Sequence, residues 1–172
     1  MFAAINRADI SFAGAKSEEP ICKGNILSKQ RIDETGATKI FQSAIEEHEQ
    51  VFENFFLAKL LGLAFEYTED DTLQISFDVN EMFSNPQGTF HGGMIATVLD
   101  ISMGHLLKKT LGPGSTIEMK IQYLRPVISG QVVCKSRFVK KGRSINFLES
   151  HLYNAEDKLC AHATATWKLI ST

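Results

Sequence analysis

The sequence predicts an α+β architecture: an antiparallel sheet wrapped around one central buried helix. Three observations carry this expectation. Residues 92–109 read as a helix that is apolar nearly all round, and such a helix belongs in a core. Six shorter runs flank it, most alternating apolar and polar residues with the period of a half-buried strand. The last run places Ala161, Ala163 and Ala165 on one side, and small side chains on a strand leave room for another element to press close.

In chain order, residues 1–39 show no sustained period and are expected to form a loosely ordered extension, with the domain proper at 40–172. From Ile40 to Leu61, Phe41, Ile45, Phe52, Phe55, Phe56 and Leu60 recur at helical spacing opposite Glu46, Glu47, Glu49 and Glu53, with Gly62 as the stop. Leu63–Thr68 pairs across the turn Glu69-Asp70-Asp71 with a strand in which Leu73, Ile75, Phe77 and Val79 alternate with polar residues. The buried helix follows an irregular stretch. Its opening glycines and closing Lys108-Lys109 suit the two ends of a helix dipole. Four strands come after it. Ile117 to Tyr123 ends near Pro126; Gln131–Val139 turns through Lys140-Lys141-Gly142-Arg143 into Ser144–Tyr153; Leu159–Leu169 closes the chain.

Composition limits the class of protein. The 172 residues are 44% hydrophobic and 22% charged, which fits one globular domain that folds without metal or disulfide. The 18 basic and 20 acidic side chains sum to −2, so neither nucleic acid nor a membrane surface is an expected partner. Cys22, Cys134 and Cys160 form no Cys-x-x-Cys pair, which argues against a disulfide framework or zinc knuckle and favours a reducing cytoplasm. The mitochondrial matrix stays open as an alternative, because Arg7 and Lys16 outnumber Asp9 among the first residues. His48, His105, His151 and His162 have no metal-like spacing, and Ser102 lacks a Gly-x-Ser-x-Gly setting. No metal is expected.

The chemistry concentrates between Asn85 and Asp100. Asn85-Pro86-Gln87-Gly88-Thr89-Phe90-His91-Gly92-Gly93 runs into the buried helix. Glycines at a helix start let another group approach unpaired N–H groups, where the dipole favours negative charge; an oxyanion would be held in this way. Asp100 is the only acid between Gly92 and Lys109, and a carboxylate among apolar neighbours needs a partner or a task. Each feature alone has a plainer reading: a packed histidine, a helix cap, a turn made by Asn85 before Pro86.

Taken together, Asn85-x5-His91-Gly92-Gly93-x6-Asp100 resembles the signature of hotdog-fold acyl-CoA thioesterases of the phenylacetate-pathway and human thioesterase-superfamily type. The resemblance covers about Phe41 to Leu169. It implies a hotdog fold and hydrolysis of an acyl-CoA to free acid and thiol. It further implies that the Gly92 N–H polarises the thioester carbonyl, that Asn85 assists, and that Asp100 activates water or attacks directly. Thr116 is placed to hold the water and His91 to organise the hole. No cofactor is implied, since coenzyme A is part of the substrate. Lys140, Lys141, Gly142 and Arg143 are candidates to meet its phosphates, against the simpler account of a solvated hairpin turn. A non-catalytic acyl-CoA-binding hotdog protein and an acyl-thioester dehydratase or hydratase stand as the alternatives.

Helix geometry adds an independent requirement. Gly92 and Asp100 are eight residues apart, a rise of about 12 Å, whereas groups acting on one carbonyl must lie within about 3–3.5 Å of the reacting atoms. Two antiparallel copies can bring Gly92 of one chain to Asp100 of the other. A homodimer with shared sites is therefore expected, or a tetramer built from two such dimers.

Overall fold

A computed structural model describes residues 32–68 and 70–170 of the chain. Most of the expected extension, Cys22 included, lies outside the described residues, as does Glu69 of the first expected turn. Helix α1 (Glu34–Glu47) and the short α2 (Phe56–Leu61) precede strands β1 (Ala64–Tyr67) and β2 (Thr72–Asp78). A 3₁₀ turn (Glu81–Phe83) leads to the central helix α3 (Gly92–Thr110). Strands β3 (Gly114–Tyr123), β4 (Gln131–Lys140), β5 (Ile145–Tyr153) and β6 (Leu159–Leu169) complete the order.

Two expectations about the first helix are corrected. It begins at Glu34, so the boundary expected between residues 39 and 40 falls inside a helix. The single helix expected over Ile40–Leu61 is two helices joined by residues 48–55. Side chains that take over backbone groups account for the break. The His48 ring meets the Ile45 carbonyl at 2.7 Å. The Asn54 carbonyl accepts from Glu49 N–H while its amide donates to the Glu49 carboxylate. The Phe52 carbonyl, which a continuous helix would use internally, instead faces Nε2 of the buried His105 at 2.5 Å. Phe41 still reaches Phe56, edge-to-face at 5.6 Å. The expected stop at Gly62 is found: its φ of 65° is left-handed, and its N–H caps the carbonyls of Ala58 and Lys59.

The six strands form one sheet in the order β1-β2-β4-β5-β6-β3, with every neighbouring pair antiparallel. Alternation works as the sequence predicts: Leu73, Ile75 and Phe77 of β2, Leu148 and Leu152 of β5, and Ala161, Ala163 and Ala165 of β6 are buried. Facing them, α3 contributes Ile95, Val98, Leu99, Met103, Leu106 and Leu107 to the same core. No helix among the described residues is long and apolar enough to cross a membrane.

Close approach of α3 to the sheet is sharpest at Gly104. A β-carbon there would lie 2.7 Å from Cη2 of Trp167, and the indole is itself buried. Gly104→Ala is expected to destabilise the fold by about 1–3 kcal/mol through overpacking. Equilibrium unfolding in urea measures this, and an unchanged midpoint would contradict the close packing.

Strand β3 departs from the expected alternation. Its register against β6 shifts between Thr116 and Glu118, and Ile117 is 57% exposed. Met119 and Ile121 pack against the core, so uninterrupted alternation would point Ile117 at α3. The bulge turns Thr116 inward in its place.

Candidate active site

The loop before α3 is built by Asn85. Its Oδ1 accepts from the N–H groups of Gln87 (3.0 Å) and Thr89 (3.1 Å), and its amide donates to Thr89 Oγ1 at 2.8 Å. Backbone bonds from Asn85 N–H to the Thr89 carbonyl and from Gly88 N–H to the Asn85 carbonyl close the turn. The buried Phe90 anchors it, donating its N–H to the Val127 carbonyl. Asn85 therefore does the work of a turn residue, and one proton of its amide remains beyond the bond to Thr89.

His91 starts the helix. Its Nδ1 accepts from Gly93 N–H at 2.9 Å, while its carbonyl accepts from Met94 and Ile95. Of the N–H groups that a helix start leaves over, those of residues 93, 94 and 95 are thus taken by His91. The Gly92 N–H has no partner among the described residues. Accepting through Nδ1 fixes the neutral ring as the Nε2–H tautomer. The hydroxyl of Tyr123 donates to the Gly92 carbonyl at 2.9 Å, and the ring would contact a β-carbon at Gly92 from 3.4 Å. Tyr123 fixes the peptide between Gly92 and Gly93 from the sheet side. In sequence it reads only as another apolar position of a strand; its hydrogen bond across 31 residues leaves no local trace.

Asp100 sits farther along α3, half-buried. Burial holds its carboxyl above the usual carboxylate range, partly opposed by a hydrogen bond from Thr116. That bond runs from Thr116 Oγ1 to Asp100 Oδ1 at 2.8 Å. The structure thus brings together Thr116 and Asp100, and separately Asn85, His91 and Gly92. Within one chain the two groups occupy different stretches of the same helix. Phe90, Leu99 and Met103 belong to the buried core, and Phe83 is partly buried against it.

The basic turn divides. Lys141 pairs with Asp71 and lies over the Phe138 ring. Gly142 N–H donates to Asn146 Oδ1 at 3.0 Å, closing the hairpin. Lys140 and Arg143 are exposed. Cross-strand register runs from Asn146 to Trp167 and on to Thr116, so the turn stands at the Asp100 end of the sheet. Trp167 Nε1 and Asn146 Nδ2 are buried along that row without hydrogen-bond partners among the described residues. Sequence reasoning assigned neither a role.

Comparison with known proteins finds thioesterases. A family model described as thioesterase superfamily matches residues 87–161, taking in His91, Gly92, Asp100 and Thr116. The medium/long-chain acyl-CoA thioesterase YigI of Escherichia coli is 27% identical over 63% of this chain and 82% of its own length. Acyl-coenzyme A thioesterase 13 of Pongo abelii is 34% identical over 51% of this chain and 66% of its own. A phenylacetic acid degradation-related protein of Ralstonia eutropha superposes with TM-score 0.64 at 27% identity, over 76% of this chain and 99% of that one. A Bacillus halodurans protein solved with CoA reaches TM-score 0.73 at 21% identity, over 85% and 99% of the two chains, a likeness of fold. The hotdog fold, the glycine-led helix start and these matches support a thioester hydrolase, with residues 87–161 similar to the thioesterase superfamily.

Proposed function

We propose that the protein hydrolyses an acyl-CoA in a homodimer whose two sites each combine the Gly92 end of one α3 with Asp100 and Thr116 of the other. The observation that carries this reading is the pairing of a spare N–H at a helix start with a half-buried carboxylate held by a hydroxyl. The thioester carbonyl accepts from Gly92 N–H, and Asn85 offers its remaining amide proton. Asp100 Oδ2 takes a proton from water while Thr116 steadies Oδ1. The hydroxide adds to the carbonyl carbon, and the C–S bond breaks as the tetrahedral oxyanion collapses. CoA leaves as the thiol once it regains that proton. Exposed Lys140 and Arg143 are the candidates to meet the CoA phosphates.

Support for the dimer comes from β3, an edge strand of ten residues. Ile117, Tyr123 and Leu124, in it or next to it, are at least half exposed. Such an edge invites pairing with another chain. The test is thiol release over a panel of acyl-CoAs. Hydrolysis supports the reading; tight binding without thiol release, or hydration of an enoyl-CoA in its place, overturns it.

Asn85→Asp separates the loop role from the catalytic one, because the acid keeps the two N–H bonds of the turn and loses the amide donor. It is expected to lower kcat about 10²-fold with an unchanged Tm. A loss below about fivefold, under about 1 kcal/mol, assigns Asn85 to the loop alone.

A further inference from the structure

Residues eleven apart in sequence meet on the outer face of the sheet. His151 of β5 lies directly opposite His162 of β6. The flanking Ser150, Leu152, Ala161 and Ala163 are all buried, so both imidazoles project from the face turned away from α3. Their rings stack with centroids 4.4 Å apart. Glu149, two residues before His151, shares that face, and its Oε2 lies 3.9 Å from His162 Nε2. Arg137 holds the other carboxylate oxygen, Oε1, through its Nε at 2.6 Å.

We propose that Glu149, His151 and His162 form a binding site for a divalent transition-metal ion of the class that favours imidazole nitrogen, such as Zn²⁺. One ligand atom from each residue lies within 4.8 Å of the others. Metal bonds of about 2.0–2.2 Å place tetrahedral ligands about 3.4 Å apart. Side-chain rotation on two paired strands covers that difference without moving the backbone. A second observation points the same way: His162 Nε2 is buried with no hydrogen-bond partner among the described residues. Buried ring nitrogens are normally satisfied; this one is aimed at the Glu149 carboxylate, beyond bonding distance of it.

Two histidines and a carboxylate suit Zn²⁺, Cu²⁺ or Ni²⁺ better than Mg²⁺ or Ca²⁺, which take oxygen. Arg137 orients the carboxylate as an outer-shell partner. Its charge, and that of Lys135 above the Tyr153 ring, oppose the cation and limit its affinity. Three protein ligands leave a fourth position for water or an exogenous donor. The bound ion would tie β5 to β6 across the sheet from the thioester site.

Titration of the full-length chain with Zn²⁺ against a chromophoric chelator tests the site. One ion per chain is expected, with a Kd in the micromolar range. Loss of outer-shell partners alone costs about 10–100-fold in metal affinity, so His151→Gln and His162→Gln should each weaken binding at least tenfold. His48→Gln, an exposed histidine on another element, should leave it unchanged. In the wild-type chain, Co²⁺ should give the visible absorption of a tetrahedral site, and Zn²⁺ should shift the imidazole ¹⁵N resonances of His151 and His162. Failure of the wild-type chain to bind Zn²⁺ at 1 mM (about −4.1 kcal/mol) overturns the site. So does undiminished binding in either folded variant. Should a variant not fold, unmoved ¹⁵N resonances of the two histidines in the wild-type chain overturn it equally.

Discussion

Asp100→Asn is expected to cut thioester hydrolysis about 10²–10⁴-fold while raising the Tm at neutral pH. The amide still accepts from Thr116 but has lost the basic oxygen that would take a proton from water, and general base catalysis contributes losses of that size. The gain in stability follows from the environment. Burial raises the Asp100 pKa in the folded state above the ordinary aspartate value that the unfolded chain keeps. Between the two values the folded chain binds more protons than the unfolded one, so stability falls as pH rises through that window. At pH 7 the full penalty of an ionised, half-buried carboxylate is present, and the amide removes it. Differential scanning calorimetry of both proteins should therefore show a Tm gain at pH 7 that shrinks as pH falls towards 3.8. The same raised pKa displaces the acid limb of kcat/KM upward from the ordinary carboxylate range. Wild-type turnover in folded Asp100→Asn would end the assignment of Asp100; a lowered Tm at pH 7 would end the account of its burial.

Periodicity made most of this fold legible. Ala161, Ala163 and Ala165 announced the close seat of α3, and Gly62 marked a helix end that a left-handed backbone confirms. What escaped was set by contacts between residues distant in sequence. Helical spacing of Phe41, Ile45 and Phe52 continues across residues 48–55, but the Phe52 carbonyl is claimed by His105, 53 residues away. Likewise, no pattern in β3 distinguishes the bulge that exchanges Ile117 for Thr116, although that exchange is what delivers the hydroxyl to Asp100. The site motif was readable because its parts follow one another on a single loop and helix. Tyr123 was not, since its bond to Gly92 depends on where β3 pairs. His151 and His162 looked unrelated for the same reason: antiparallel register, rather than spacing, places them face to face.

Activity should reappear when two inactive variants are refolded together. One parent is Asp100→Asn. The other is Gly92→Pro, which deletes the spare N–H where the structure can accept proline. Gly92 is the first residue of α3, a position at which proline is well tolerated. The preceding His91 has ψ of 133°, the extended conformation that a following proline demands. The nearest atom to an added β-carbon is Tyr123 Cε1 at 3.4 Å, an ordinary contact. With random pairing of equal amounts, about half the dimers are heterodimers, and each has one site carrying both lesions and one carrying neither. Activity should return to roughly a quarter of the wild-type total at equal chain concentration, if sites act independently. Sites built within single chains would give every heterodimer site one lesion, and the mixture would stay silent. The eight-residue separation of Gly92 and Asp100 on one helix, about 12 Å of rise, is why recovery is the expected result. Demonstrated subunit exchange between folded parents without any return of activity would rule the shared site out.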